Sequence, residues 1–241
     1  ISPYGTTNAP MLLSALSVTN ILIDLTFSKP LDDSSTNTSN YAITGGAVIQ
    51  GATLEPVERR GIALAMAPMT GGIYTLTLNA IVDMTPAQTP IATNTTAQIV
   101  IPSIVVKANN TTNLNLSLSW IGGVVPTNSD IAQWDSTVVG ANVTSLGDDL
   151  SWSGILILNP GGNVTINGTN TLTLGQKGID MSASTRLLTL NCPVVLGASQ
   201  VWNITNTQTL KTDTITGTGG ITKNGAGIWQ LASPAGASTY S

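Results

Sequence analysis

Alternating apolar and polar positions in the first hundred residues predict short β-strands. Apolar residues at every second position lie on one face of an extended chain, and the clearest such run is Ile21, Ile23, Leu25 and Phe27. Two further runs alternate in the same way, at residues 62–66 and 74–78. Glycine and proline lie between the runs at spacings of about ten residues, which is typical of the corners of a β-sandwich.

The pattern changes after a stretch rich in Thr, Asn and Pro at residues 85–96. Beyond it, short apolar runs recur between Gly, Asn and Thr with an imperfect period of about 20–25 residues, as in a parallel β-helix. The runs lie at residues 155–158, 164–166, 172–174, 187–190, 194–196, 201–204 and 228–231. The sequence therefore predicts an all-β chain with a tail at residues 1–10, a β-sandwich at 11–102 and a short parallel β-helix, or β-solenoid, at 103–241.

Several segments of the first half resemble the bacterial Ig-like domains of surface-layer and adhesive proteins, over roughly residues 9–102. They are Phe27-Ser28-Lys29-Pro30-Leu31, Asn40-Tyr41, Tyr74-Thr75-Leu76-Thr77-Leu78 and Asp83. After Asp83 the chain departs from that family, because Met84-Thr85-Pro86 stands where a Gly-Asn pair is usual. The resemblance implies an Ig-like sandwich that serves as a spacer or assembly module and carries no catalytic residues.

The last segment resembles the autotransporter-associated β-strand repeat, and the similarity covers roughly residues 118–241. Its core is Gly219-Gly220-Ile221-Thr222-Lys223-Asn224-Gly225-Ala226-Gly227, followed by Ile228-Trp229-Gln230-Leu231 and Ser238-Thr239-Tyr240. Ser238 replaces the usual Asn, and Trp229 stands where a smaller residue is usual. The resemblance implies a secreted, passenger-like β-helical stalk.

Composition narrows the range of possible partners. Charged residues make up 8% of the chain, against about 25% in an ordinary soluble domain, and Thr, Ser and Asn supply 77 of the 241 residues. The net charge is −4 and no basic run occurs, so we expect no nucleic-acid partner, because phosphate binding needs clustered Lys and Arg. No apolar stretch reaches the roughly 18 residues of a membrane span, so we expect none.

The chain has few residues that could form a catalytic or metal-binding site. The chain has no His and only Cys192, so the usual catalytic triads and zinc sites cannot form. Cys192 lies in an apolar run and is expected to be buried, with an intermolecular disulfide or a reactive thiol as the alternatives. The acidic pair Asp148-Asp149, with Asp130 and Asp135 upstream, leaves three interpretations: a solvated turn, a carboxylate pair that cleaves polysaccharide, or a calcium site. The same interpretations apply to the pair Asp32-Asp33, for which a turn is the ordinary one. We predict no catalytic, cofactor or metal site.

Five tryptophans lie in the second half, and they fit either a core or capping role or a row that stacks on sugar rings. They are Trp120, Trp134, Trp152, Trp202 and Trp229. The chain begins at Ile1, as expected of a mature product or a trimmed one. An N-terminal tail followed by the apolar segment Met11–Val18 could add a strand to a neighbouring copy.

These observations predict a secreted or cell-surface structural protein without enzymatic activity or cofactor. Its partner would be a second copy of itself, joined head to tail by strand addition or rung stacking into a bacterial filament, fibre or surface array. Two alternatives stay open: an adhesin or stalk segment that binds glycans, and a polysaccharide-active β-helix enzyme.

Overall fold

Two separate β-rich units make up the chain, residues 1–101 and 102–241. The computed structural model describes residues 8–205 and 207–231, together with the backbone of residues 239 and 240. Most of the predicted tail, residues 1–7, and the ending Ser238 and Ser241 lie outside the described residues. No helix in the described part of the chain is long and apolar enough to cross a membrane.

Within residues 8–101, the first unit has seven antiparallel strands in two sheets. The strands are β1 Leu12–Thr19, β2 Leu22–Phe27, β3 Tyr41–Ile43, β4 Ile49–Leu54, β5 Gly61–Met66, β6 Gly72–Leu78 and β7 Thr95–Ile101. One sheet has the order β1-β2-β5-β4 and the other β3-β6-β7. With the strands lettered A to G, the strand orders are ABED and CFG, the same orders as in an immunoglobulin constant-type sandwich. Two short 3-10 helices, Asp33–Thr36 and Thr38–Asn40, lie between β2 and β3.

The sandwich core comes from the predicted alternation. Ile23, Leu25 and Phe27 on β2 are buried, and the alternate residues of β5 and β6 join them. Ile21 differs from the prediction: it lies in the turn before β2, and its side chain is 49% exposed. The alternation therefore identified the right face of the strand but placed its start too early.

Tyr74 forms a corner that the sequence analysis did not identify. Its hydroxyl donates to the carbonyl oxygen of Thr70, four residues upstream, at 2.9 Å. A hydrogen bond of this kind, from a tyrosine near the start of the sixth strand back to the backbone, resembles the tyrosine corner of immunoglobulin-type sandwiches. Gly45 packs on the same ring, where a Cβ atom would lie 2.9 Å from the ring and φ is +74°, so only glycine fits that turn without strain.

Replacing Tyr74 with Phe is expected to destabilise the first unit by about 1–2 kcal/mol, because the carbonyl oxygen of Thr70 loses a partly buried donor while the ring stays in place. Circular dichroism of the full chain during urea unfolding measures the loss. Tryptophan fluorescence provides the internal control, since all five tryptophans belong to residues 102–241 and their transition should not move. If the unfolding transition of the first unit has the same midpoint in Tyr74→Phe as in the unmodified chain, the hydroxyl does not have the stabilising role assigned to it.

The second unit is a β-solenoid of about five turns. Its strands are β8 Ser103–Val106, β9 Asp130–Trp134, β10 Asn142–Ser145, β11 Leu150–Ile157, β12 Val164–Asn167, β13 Leu172–Asp180, β14 Leu188–Asn191, β15 Val194–Leu196, β16 Gln200–Asn203, β17 Thr209–Thr212, β18 Ile215–Gly217, β19 Ile221–Asn224, β20 Ile228–Leu231 and β21 Thr239–Tyr240. These strands pair in parallel, and one sheet has the order β10-β12-β14-β17-β20. The predicted all-β fold, a sandwich followed by a parallel solenoid, is confirmed.

Each rung places its inward residues directly over those of the previous rung. In one column Leu150 pairs with Leu172, then Val194, then Ile215, and successive members are 22, 22 and 21 residues apart. All four are buried except Leu150, which is partly buried. The imperfect period in the sequence is therefore the length of one rung.

Two glycines stack at an irregularity in the pairing of β11 with β13. Gly154 on β11 lies over Gly178 on β13, next to a shift in the register of the two strands. A Cβ atom on Gly154 would lie 2.7 Å from the carbonyl oxygen of Gly178, closer than packed atoms approach. Between β12 and β14, a side-chain hydrogen bond joins two rungs, since Asn191 Nδ2 donates to Asn167 Oδ1 at 2.9 Å.

Candidate functional site: the two ends of the solenoid

The first rung of the solenoid is covered by its own chain. We call residues 108–123, which follow β8, the cap loop. Its backbone donates from Leu114 N to Ser145 O at 2.9 Å, from Asn115 N to Leu146 O at 3.0 Å and from Ile121 N to Val106 O at 2.9 Å. Carbonyl groups on two sides of the first rung thus find partners within the same chain.

Trp120 anchors the cap loop in the core. Its side chain is 3% exposed, and its ring meets Trp134 and Trp152 edge-on, with centroids 5.7 and 5.8 Å apart. Two of the three indole nitrogens have partners: Trp120 Nε1 donates to Leu114 O at 2.8 Å and Trp134 Nε1 to Asn142 Oδ1 at 2.9 Å, whereas the buried Trp152 Nε1 has none. Edge-to-face pairs of this kind add to the gain from burial, so the aromatic cluster holds the loop across the end of the core.

Lys107 lies at the base of the cap loop and is fully buried. Its Nζ donates to Ala108 O at 2.9 Å, Asn110 O at 2.9 Å and Asn110 Oδ1 at 2.8 Å. Burial lowers the pKa of Lys107 to about 8, because a charged group is less stable away from water. Three neutral oxygen atoms therefore surround one ammonium group.

The other end of the solenoid differs. Among residues 8–205 and 207–231, β19 pairs only with β16 and β20 only with β17. Ile228 N donates to Gln208 O, so Ile228 and Gln230 turn their backbone groups toward β17, while those of Trp229 and Leu231 point the other way. Ile228 is 61% exposed and Leu231 40%. This edge offers both backbone hydrogen-bonding groups and apolar side chains.

The candidate carboxylates are not brought together. Asp148 Oδ1 accepts the backbone N–H of Asp149 at 2.8 Å, and Asp149 Oδ1 accepts that of Thr171 on the next rung at 2.7 Å. Both residues are exposed, so the solvated turn is the interpretation that fits them. Asp130 and Asp135 accept from nearby backbone in the same way, from Thr127 and Thr137 respectively.

Asp32 caps the first 3-10 helix by accepting from Ser34 N at 2.9 Å. That hydrogen bond and the one from the Ser34 hydroxyl hold the pKa of Asp32 below its usual value. No group of three or more potential metal ligands occurs in the part of the chain that the structure describes. Cys192 is buried as expected, and burial together with the negative charge of Asp213 raises the pKa of its thiol to about 12.

The tryptophans do not form a row that could bind sugar. Trp120, Trp134, Trp152 and Trp202 are buried. Trp229 is half-buried, since its ring packs edge-on against Trp202 at 4.9 Å and its Nε1 donates to Thr212 Oγ1 at 3.0 Å. The structure therefore favours the core role, and the hypothesis of a glycan-stacking row is wrong for these residues.

The segment Met11–Val18 was expected to be available for pairing elsewhere, and the structure corrects this. Leu12–Thr19 forms β1 and pairs antiparallel with β2 in its own sheet. The Ser17 hydroxyl also donates to Val100 O on β7 at 2.7 Å. Because these bonds are made within the unit, donating this segment would require breaking them.

No protein-family model matches the chain, and no curated protein matches it. Solved structures of a bacterial surface layer protein, SbsC, are similar in part: domains 1–6, the fragment rSbsC(31-844) and the N-terminal part. Each is 16% identical over 44% of this chain, with a TM-score of 0.35. The chain spans 16%, 16% and 27% of those three chains. A likeness at this level assigns neither family nor function.

Proposed function

We propose that this chain is an extracellular structural subunit without enzymatic activity, and that its copies join head to tail in a bacterial surface array or filament. The proposal is carried by the difference between the two ends of the solenoid. One end is covered by the cap loop. At the other end, among residues 8–205 and 207–231, β19 and β20 have a partner strand on one side only, while β18 pairs with β21.

The polarity of the solenoid supports a head-to-tail arrangement. All ladders of the solenoid are parallel, so its two ends are chemically different surfaces. A contact between unlike surfaces repeats as an open filament or closes as a ring. An edge strand with available N–H and C=O groups recruits a further strand, so the edge of β20 is the acceptor in this proposal.

Strand addition fits this geometry better than stacking of whole rungs. Stacking would require the edge of the first rung in the next copy, and the cap loop already occupies part of that edge. Since β1 is paired with β2 and Asn8 O accepts from Lys29 Nζ, the donor in our proposal is the preceding part of the tail, residues 1–7. Main-chain hydrogen bonds along an added strand would supply the affinity.

The chemistry of the chain also supports a structural role. Histidine, the side chain that most often serves as a general acid or base near neutral pH, does not occur in it. Asp32, Asp130, Asp135 and Asp149 instead accept hydrogen bonds from nearby backbone. Release of reducing or unsaturated sugars from polysaccharides incubated with the protein would replace this proposal with the enzyme alternative.

Self-association of the purified chain tests the proposal. We expect sedimentation velocity to show larger species as concentration rises, and electron micrographs to show filaments or arrays. Ile228→Lys places a charge on the exposed edge strand and should weaken association at least tenfold, as edge charges do. Val143→Lys is the matched control, because Val143 is 51% exposed on β10, at the other end of the same sheet.

A truncation that lacks residues 1–7 tests the donor separately. It should remain monomeric if the N-terminal segment is added to β20. Association that survives this truncation but is lost in Ile228→Lys would keep the proposed function and reject the donor. Monomers at every concentration, or equal loss in Val143→Lys and Ile228→Lys, would contradict the proposal.

A further inference from the structure

Lys107 is the most deeply buried charged side chain among residues 8–205 and 207–231, with no exposed surface. A buried ammonium without a carboxylate partner is costly unless its hydrogen bonds are complete. The three donor positions of Lys107 Nζ meet three oxygen atoms at 2.8–2.9 Å, so the group is fully satisfied. All three of these hydrogen bonds are lost if the ammonium group is removed.

The oxygen atoms around Lys107 belong to a network that reaches both arms of the cap loop and the first rung. Asn110 Oδ1 also accepts Thr112 N at 3.2 Å, and Asn110 Nδ2 donates to Leu118 O at 2.8 Å. Asn142 on β10 donates to Asn110 O at 2.8 Å. Ala108 O likewise accepts Asn110 N at 2.7 Å, so each oxygen that accepts from Lys107 also accepts from one other donor. Removing the ammonium would therefore leave three partly buried oxygens with one hydrogen bond each and would remove the one group that joins them.

We propose that the ammonium of Lys107 is an internal cation around which the cap loop folds, and that its place is a binding site for a small primary ammonium ion when the side chain is removed. The cap loop has few apolar anchors besides Leu114 and Trp120. It is also held by the backbone hydrogen bonds across the end of the solenoid and by the buried Ser119 hydroxyl, which donates within the loop. At its base, backbone and amide oxygens converge on one positive charge. The site is selective because it offers acceptors in three directions and therefore requires a cation that carries N–H donors.

A cavity variant with chemical rescue tests the site. Lys107→Ala removes three carbons and the ammonium nitrogen, which together match n-propylammonium. We expect the amides of Leu114, Asn115 and Ile121, which bond across the end of the solenoid, to exchange with deuterium at least tenfold faster in this variant. n-Propylammonium should slow that exchange again, whereas tetramethylammonium, which has no N–H donor, should not at equal ionic strength.

Two further variants separate the role of the charge from that of packing. Lys107→Met keeps most of the volume and should also exchange at least tenfold faster; exchange as slow as in the unmodified chain would overturn the proposal. Lys211→Ala on β17 is the control, and n-propylammonium should have no effect on it. Equal slowing of exchange by both ammonium ions in Lys107→Ala would likewise overturn the site.

A measurement on the unmodified chain holds even if the variants do not fold. Nitrogen NMR of lysine side chains at pH 6 should show Lys107 as an ammonium whose N–H protons exchange slowly with water. A neutral amine, or protons that exchange as fast as those of Lys211, would overturn the proposal.

The internal cation has one consequence that rests on the proposed function. Because the closed cap loop covers the edge of the first rung, its opening in Lys107→Ala should allow association at that end as well. Ile228→Lys should then fail to suppress association in the Lys107→Ala background. If exchange and rescue behave as expected but Ile228→Lys still suppresses association, the cation site stands and the link to assembly is rejected. If n-propylammonium does not slow amide exchange in Lys107→Ala, the cation site is rejected and the proposed function is unaffected.

Discussion

Replacing Trp134 with alanine is expected to destabilise the solenoid by about 3–5 kcal/mol, the range for deleting a buried aromatic side chain. Trp134 has no exposed surface and packs between Trp120 and Trp152, with centroids 5.7 and 6.2 Å away. The substitution also leaves Asn142 Oδ1 without the indole donor at 2.9 Å. The cavity would open directly beneath the cap loop.

Urea unfolding followed by tryptophan fluorescence measures this loss, because four tryptophans remain in the second unit. Trp229→Ala is the matched control. Trp229 is half-buried and keeps one aromatic neighbour, Trp202, so we expect no more than about half the loss. Equal losses in the two variants would show that the cluster around Trp134 has no special role in holding the cap loop.

Replacing Asp83 with alanine is expected to destabilise the sandwich by about 2–4 kcal/mol, because it removes one partner of a buried ion pair and its hydrogen bonds. Asp83 is 1% exposed, and its Oδ2 lies 3.4 Å from Lys29 Nζ. Its Oδ1 accepts from Thr85 Oγ1 at 2.6 Å, Thr85 N at 3.2 Å and Thr89 N at 3.1 Å. Circular dichroism during urea unfolding reports the change, and Asp24→Ala on the exposed face of β2 is the control.

The same carboxylate predicts a dependence on pH. Burial by itself would raise the pKa of Asp83, but the hydrogen bonds from Thr85 and Thr89 and the ammonium of Lys29 outweigh it and lower the pKa. The folded state therefore binds the proton less readily than the unfolded state, whose pKa is about 3.9. The stabilisation is complete well above that value and is lost as pH falls toward the folded pKa. The stability difference between the natural chain and Asp83→Ala should shrink below pH 4; a constant difference would contradict this.

The parts of the fold that could be predicted from the sequence are those in which a regular spacing of apolar residues reflects one feature of the structure. Ile23, Leu25 and Phe27 alternate because one face of β2 is buried. The spacing from Leu150 to Leu172 recurs because each rung needs the same contour length. Such patterns are local or strictly repeated, so they can be read without knowing which distant residues meet.

The features that define the candidate site depend on contacts that no local pattern reveals. Lys107 follows the apolar run of β8 and has the sequence context of a residue that ends a strand in water. It is buried because the cap loop returns over it, and that return is fixed by Trp120 meeting two tryptophans from later strands. The packing of Gly45 on the ring of Tyr74 is also a contact between distant parts of the sequence. The shared cause is that side chains distant in sequence become neighbours.

If copies of this chain meet through the edge of β20 and not through the capped end, hydrogen exchange at low and at high protein concentration should differ at that edge alone. We expect the outward amides of Trp229 and Leu231 to become protected as concentration rises, while those of Leu114 and Ile121 exchange at unchanged rates. Protection that is independent of concentration at β20, or that develops at the cap loop instead, would contradict this expectation.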